Sequence, residues 1–121
     1  MIAERVEPFT VEGSLLTDVA GTIPVAVLAT PAMIGKMERC AAMLALEHLP
    51  EGQATVGFEV CIRHVAASFQ GAECTARAAL REIVDERKLR FDVEVREGER
   101  VIGIGTHERR VVVRAEVPAR R

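Results

Sequence analysis

The sequence predicts an α+β fold in which one antiparallel sheet wraps around one long helix. Three observations carry this. A Thr-Pro pair at Thr30 and Pro31 opens a run whose apolar residues recur at helical spacing. From Val56 onward the period changes to two, the alternation of strands. Turn signals at residues 50–52, at Gly71, and at 85–88 and 97–99 separate the successive runs and suit reversals between neighbouring elements.

Composition sets the frame. The chain has 121 residues, 49% hydrophobic and 28% charged, which fits one domain over residues 1–121 with no internal repeat. At this length folding buries roughly two-thirds of the surface of the unfolded chain, enough for a single core. The net charge of -2 gives no basic field for nucleic acid or for a membrane surface. With no Trp or Tyr, the chain also lacks the stacking platforms of single-stranded nucleic-acid binders. Neither kind of partner is expected. Cys40, Cys61 and Cys74 are odd in number and have no CxxC spacing, so neither a disulfide framework nor a zinc knuckle is expected. No basic stretch leads into an apolar run at the start, and no run approaches about 18 apolar residues, so the expected location is the cytoplasm.

Residues 5–12 read as a short strand, interrupted by Pro8 and so better suited to a sheet edge. Residues 13–29 mix Gly13, Gly21 and Pro24 with Leu15, Leu16, Ile23, Val25 and Leu28, an apolar loop that covers something. The helix is expected over residues 31–48, with Thr30 as its N-cap and Pro31 at the first position. Met33, Met37, Ala41 and Leu44 form its buried stripe, and Ile34, Glu38, Ala41, Ala45 and Leu49 an adjoining one, so Glu38 lies at the margin of the buried face.

Beyond the turn, Val56, Phe58, Val60, Ile62 and His64 share a face opposite Gly57, Glu59, Cys61 and Arg63, and the imidazole inherits the apolar side. A strand over residues 72–84 follows Gly71. The next, over residues 89–96, points Leu89, Phe91, Val93 and Val95 one way and Arg90, Asp92, Glu94 and Arg96 the other, as for a sheet with one face in water. The last strand, over residues 100–115, carries Gly103 and Gly105 on one face, leaving room for a ligand or another backbone. Residues 118–121 read as a fraying tail.

Thr30, Glu38 and His64 are the candidates for chemistry. Thr30 reads either as a routine N-cap or as part of a helix N-terminus whose free N–H groups polarise a carbonyl and hold an oxyanion. Glu38 beside an apolar face loses hydration unless something there needs it, a setting for general base work or direct attack. His64 is suited to orienting a substrate or passing a proton. His48 and His107 carry less weight, one near a helix end and the other inside a charged run. No pair of His or Cys residues shows ligand spacing on one face, so no metal site is expected. The glycines at 103 and 105 do not form a phosphate loop, because the third glycine is missing and the run lies in a terminal strand.

Residues 27–38 (VLATPAMIGKME), 55–57 (TVG), Arg63-His64 and 103–109 (GIGTHER) together resemble the fluoroacetyl-CoA thioesterase-like family. The resemblance covers about residues 5–115 and implies the hotdog fold, an acyl-CoA substrate with no further cofactor, and a homodimer, or a tetramer built from two, with the acyl-CoA site near the subunit interface. It also implies Thr30, Glu38 and His64 as catalytic residues and Gly57 and Arg109 beside the acyl group. Eight helical residues advance about 12 Å, so Thr30 and Glu38 are expected to act at different points of the substrate. The chain departs from the fluoroacetyl-specific enzyme in its covering loop, which has no aromatic residue in 13–29. A small acyl-CoA is therefore the expected substrate class. The alternatives are a hotdog hydratase or dehydratase and a non-catalytic acyl-CoA binding module.

Overall fold

Among the described residues, 1–118 of a computed structural model, the elements run β1 (Ala3–Thr10), β2 (Leu16–Thr17), β3 (Val27–Leu28), α1 (Thr30–Leu46), β4 (Gln53–His64), β5 (Glu73–Val84), β6 (Lys88–Glu97) and β7 (Arg100–Val113). Short 3₁₀ turns occupy Gly13–Leu15 and Arg114–Glu116. The expected tail falls mostly outside the described residues. Five strands form one antiparallel sheet in the order β1-β5-β6-β7-β4, and β2 and β3 pair separately. The edge position expected of the first, Pro8-bearing strand is found, although β1 begins and ends two residues earlier than the sequence suggests.

α1 packs on one face of the sheet. Its buried residues Met33, Met37, Cys40, Ala41, Leu44 and Ala45 include the whole expected stripe. They meet Cys74, Ala76, Ala78 and Leu80 of β5 and Leu89, Phe91, Val93 and Val95 of β6, all buried in the same core. The alanines of β5 keep the sheet surface low, so the helix can lie close to it. Each large apolar side chain buried this way contributes roughly 1.5 to 3 kcal/mol. α1 ends two residues before its expected limit, and Glu47 and His48 form an exposed turn that leads into Pro50.

The outer face is charged. Arg90 reaches Glu82 at 2.6 Å and Glu108 at 3.0 Å, and Glu108 accepts from Arg110 at 2.7 Å. The Arg110 guanidinium in turn lies 3.5 Å above the Phe58 ring. This ladder keeps the far side of the sheet in water.

One expectation about strand faces is corrected. On β4, the register against β7 runs Val56 to Arg110 and Gly57 to Arg109, then Glu59 to Glu108 and Val60 to His107. Phe58 is thus an extra residue in a bulge, and one inserted residue exchanges the faces on either side of it. Val56 and Phe58 lie outside, while Gly57 joins Val60, Ile62 and His64 on the helix side. Strict alternation put Gly57 on the wrong face. The room expected at Gly103 and Gly105 is filled by the chain itself, at Gly105 by another backbone as expected and at Gly103 by side chains of α1. A Cβ at Gly103 would lie 2.5 Å from Met33 Cε and 3.1 Å from Met37 Cε, and one at Gly105 would overlap the Cys61 carbonyl oxygen. The glycines accommodate the chain's own helix and its own edge strand.

Candidate active site

Thr30 opens α1 but does not cap it. Ala29 is the N-cap residue, and its carbonyl accepts from the Met33 N–H at 2.9 Å. The Thr30 hydroxyl is instead 2.8 Å from His64 Nδ1. This meeting depends on long-range structure. β3 delivers the chain to the helix start, held by the Leu28 N–H on the Ser68 carbonyl and the Ala29 N–H on the Leu15 carbonyl, both 2.8 Å. His64 ends β4 opposite Gly103. Ahead of Met33, the backbone N–H groups of α1 have no acceptor within the helix.

His64 is half-buried, and its Nε2 is buried without a hydrogen-bond partner among the described residues. Burial holds its pKa below the ordinary imidazole value, opposed by the Ala66 carbonyl, which favours the charged form without satisfying Nε2. The ring is thus neutral near pH 7, with one nitrogen engaged by Thr30 and the other free.

Two turns along α1, the Glu38 side chain keeps 40% of its exposure and lies 3.6 Å from Arg109 Nη1. Gly57 makes this position possible, since a Cβ there would come within 2.8 Å of Glu38 Oε2. Arg109 is buried, and its Nε and Nη2 donate to the Thr55 hydroxyl at 2.7 Å and the Thr55 carbonyl at 3.0 Å. Its third contact is His107 Nε2, 3.3 Å from Nη1. Burial draws the guanidinium pKa down and Glu38 opposes this.

The five residues named from the sequence therefore lie on one face in two groups. Thr30 and His64 are joined by a hydrogen bond; Glu38, Gly57 and Arg109 form the second cluster. No hydrogen bond links Thr30 or His64 to Glu38 among the described residues, in keeping with the rise of the helix between them. His107, one polar residue of a charged run in the sequence, is buried at 3% exposure on the inner face. Its signal was the alternation itself: counting by twos from Gly103 reaches Gly105, His107 and Arg109. Phe69, half-exposed on the segment after β4, makes a bridge to Val27 of β3. No three His, Cys, Asp or Glu side chains among the described residues come together as a metal-ligand set.

Residues 11–115 match the fluoroacetyl-CoA-specific thioesterase family. The chain belongs to this family. It is 37% identical over 86 residues to the fluoroacetyl-CoA thioesterase of Streptantibioticus cattleyicolor, covering 71% of this chain and 61% of that protein. The match thus spans less than two-thirds of the relative's length. Among solved structures, the fluoroacetyl-CoA thioesterase superposes with a TM-score of 0.84 at 28% identity, over 94% of this chain and 88% of that one. A hot-dog-like protein from Thermanaerovibrio acidaminovorans gives 0.82 at 20% identity over 92% and 82%, a likeness of fold alone. The hotdog architecture implied by the sequence is the one present.

Proposed function

We propose that the protein is a thioesterase that hydrolyses a small acyl-CoA to the free acid and CoA. The observation that carries this reading is the hydrogen bond from Thr30 at the helix start to His64, with the Glu38 carboxylate on the same face. A thioester carbonyl at the start of α1 meets the unpaired N–H groups and the positive end of the helix dipole, which favour a developing oxyanion. Glu38 takes a proton from water as the water oxygen attacks the carbonyl carbon. The C–S bond then breaks, and the departing sulfur regains a proton relayed through the neutral His64 ring. Direct attack by Glu38, forming an acyl-enzyme that water later cleaves, uses the same residues. Gly57 and Arg109 adjoin the acyl end.

Family membership supports this chemistry, and a variant of the fluoroacetyl-CoA-specific thioesterase has been solved with fluoroacetate and CoA. The working unit in this reading is a homodimer in the cytoplasm. β4 is a sheet edge with Val56, Phe58 and Val60 exposed, and an unpaired apolar edge favours pairing with a second copy. No described helix is long and apolar enough to cross a membrane.

Thiol release across a panel of saturated and α,β-unsaturated acyl-CoAs tests the reading. Free CoA from saturated substrates is the expected result. Hydration of the unsaturated members without thiol release would instead identify a hydratase, and binding without turnover a binding module.

A further inference from the structure

His107 is a buried ionisable group for which the proposed reaction has no use. Its surroundings fix its state. A carbonyl oxygen only accepts hydrogen bonds, so the 2.7 Å contact with Glu59 requires a proton on His107 Nδ1. In the neutral ring this leaves the Nε2 lone pair free to accept, and Arg109 Nη1 stands 3.3 Å away. The ring lies beside Phe91, with centroids 6.2 Å apart at 29°. Burial keeps the imidazole pKa below its ordinary value; the Glu59 carbonyl opposes this, the Arg109 charge acts with it, and Glu38 opposes it.

The geometry around Arg109 shows what this lone pair does. Thr55 holds Nε and Nη2, leaving Nη1 as the corner that faces Glu38. At 3.6 Å, Nη1 and the Glu38 carboxylate attract but are not hydrogen-bonded. The closer acceptor is His107. We propose that His107 is a positioning residue: its Nε2 holds the Arg109 guanidinium off Glu38, leaving the carboxylate uncommitted and aiming the arginine at the acyl end, so that His107 sets acyl selectivity through Arg109. This rests on the thioesterase reading. Loss of Nε2 frees Nη1 to close on Glu38 as a tight pair and withdraws the guanidinium from its place beside the acyl group.

The test is the ratio of kcat/KM for fluoroacetyl-CoA to that for acetyl-CoA, which a simple loss of active protein does not change. His107→Phe should shift this ratio by roughly fivefold to tenfold, the upper end of the scale of one ordinary hydrogen bond. His107→Gln, whose amide oxygen reaches the Nε2 position, should keep it within about twofold of wild type on the same scale. His107→Asn retains the bond to Glu59 but not the reach to Arg109, so it should behave like His107→Phe and serves if that variant does not fold. In an Arg109→Gln background the His107 substitutions should have no further effect on the ratio, because the two residues act as one unit. Independently of activity, ¹⁵N NMR of the wild type near pH 7 should show His107 as the Nδ1–H tautomer. An unchanged ratio in a folded His107→Asn or His107→Phe protein overturns the inference. So does an undiminished effect without Arg109, or a proton found on Nε2. In each of these cases an active wild type leaves the thioesterase reading standing, whereas a wild type inactive on every acyl-CoA removes both.

Discussion

At the scale of single residues, charge and protonation make the sharpest expectations. Glu38→Gln keeps size and removes the base, so turnover should fall by roughly 10²- to 10⁴-fold with the fold intact. Steady-state kinetics with a melting curve checks this, and near-normal turnover would take Glu38 out of the reaction. His64→Ala should cost far more activity than His48→Ala, since His48 stands exposed beyond the end of α1. Acid should act through the histidines first. The folded pKa of both His64 and His107 lies below the unfolded value of about 6.5, so as pH falls the unfolded chain takes up these protons before the folded one. Their contribution to stability is complete above about pH 6.5 and is lost as pH falls through the folded values. Glu108, held below its ordinary value by its bonds from Arg110 and Arg90, adds a later loss below about pH 4.5. Melting temperature against pH should therefore fall in two stages. In His107→Phe the first should be shallower, and an identical slope would mean that His107 does not titrate with unfolding.

At the scale of elements, the three glycines of the inner face fill different roles and should respond differently to alanine. At Gly57 the new methyl displaces a half-exposed carboxylate, so Gly57→Ala should impair turnover more than stability. At Gly103 it meets the ends of Met33 and Met37, flexible side chains that give way at a cost of roughly 1 to 3 kcal/mol for overpacking. At Gly105 it meets backbone, the Cys61 carbonyl oxygen and Ile62 Cα at 2.9 Å, which cannot move without breaking the pairing of β4 with β7. Urea denaturation should rank Gly105→Ala as the most damaging of the three. Equal midpoints for Gly103→Ala and Gly105→Ala would show that the edge strand yields as easily as a methionine.

At the scale of the whole molecule, the exposed edge of β4 and the segment that leads into α1 give two expectations. Sedimentation should find a dimer, and Val60→Lys, placing a charge at the unpaired edge, should shift it toward monomer; a fully active monomer would contradict an interfacial site. Residues 13–29 contain Leu15, Leu16, Ile23, Val25 and Leu28 but no aromatic. Apolar pockets discriminate a methylene by only about 1 to 3 kcal/mol, so acyl length should matter more than fluorine and substrates should overlap. A preference for fluoroacetyl-CoA over acetyl-CoA of several orders of magnitude would show that another residue excludes the unfluorinated acyl group. Phe69, bridged to β3 from outside that segment, is the first to examine in that case.

Local periodicity determined the helix, its buried stripe, the alternating strands and the charged outer face, because each depends on which neighbours along the chain share a side. The run of turns then left one arrangement, a sheet around a helix, and the quoted motifs pointed to Thr30, Glu38, His64, Gly57 and Arg109. Tertiary structure decided what those residues touch. The Phe58 bulge moved Gly57 to the face of His64, an event that pairing with β7 creates and that alternation along β4 cannot register. Thr30 exchanged a local cap for a partner 34 residues away because β3 and the end of β4 converge on the helix start. His107 looked like one more polar residue in a charged run. Burial between Phe91, Glu59 and Arg109 gave it a fixed tautomer, and that follows only when strands distant in sequence close around it.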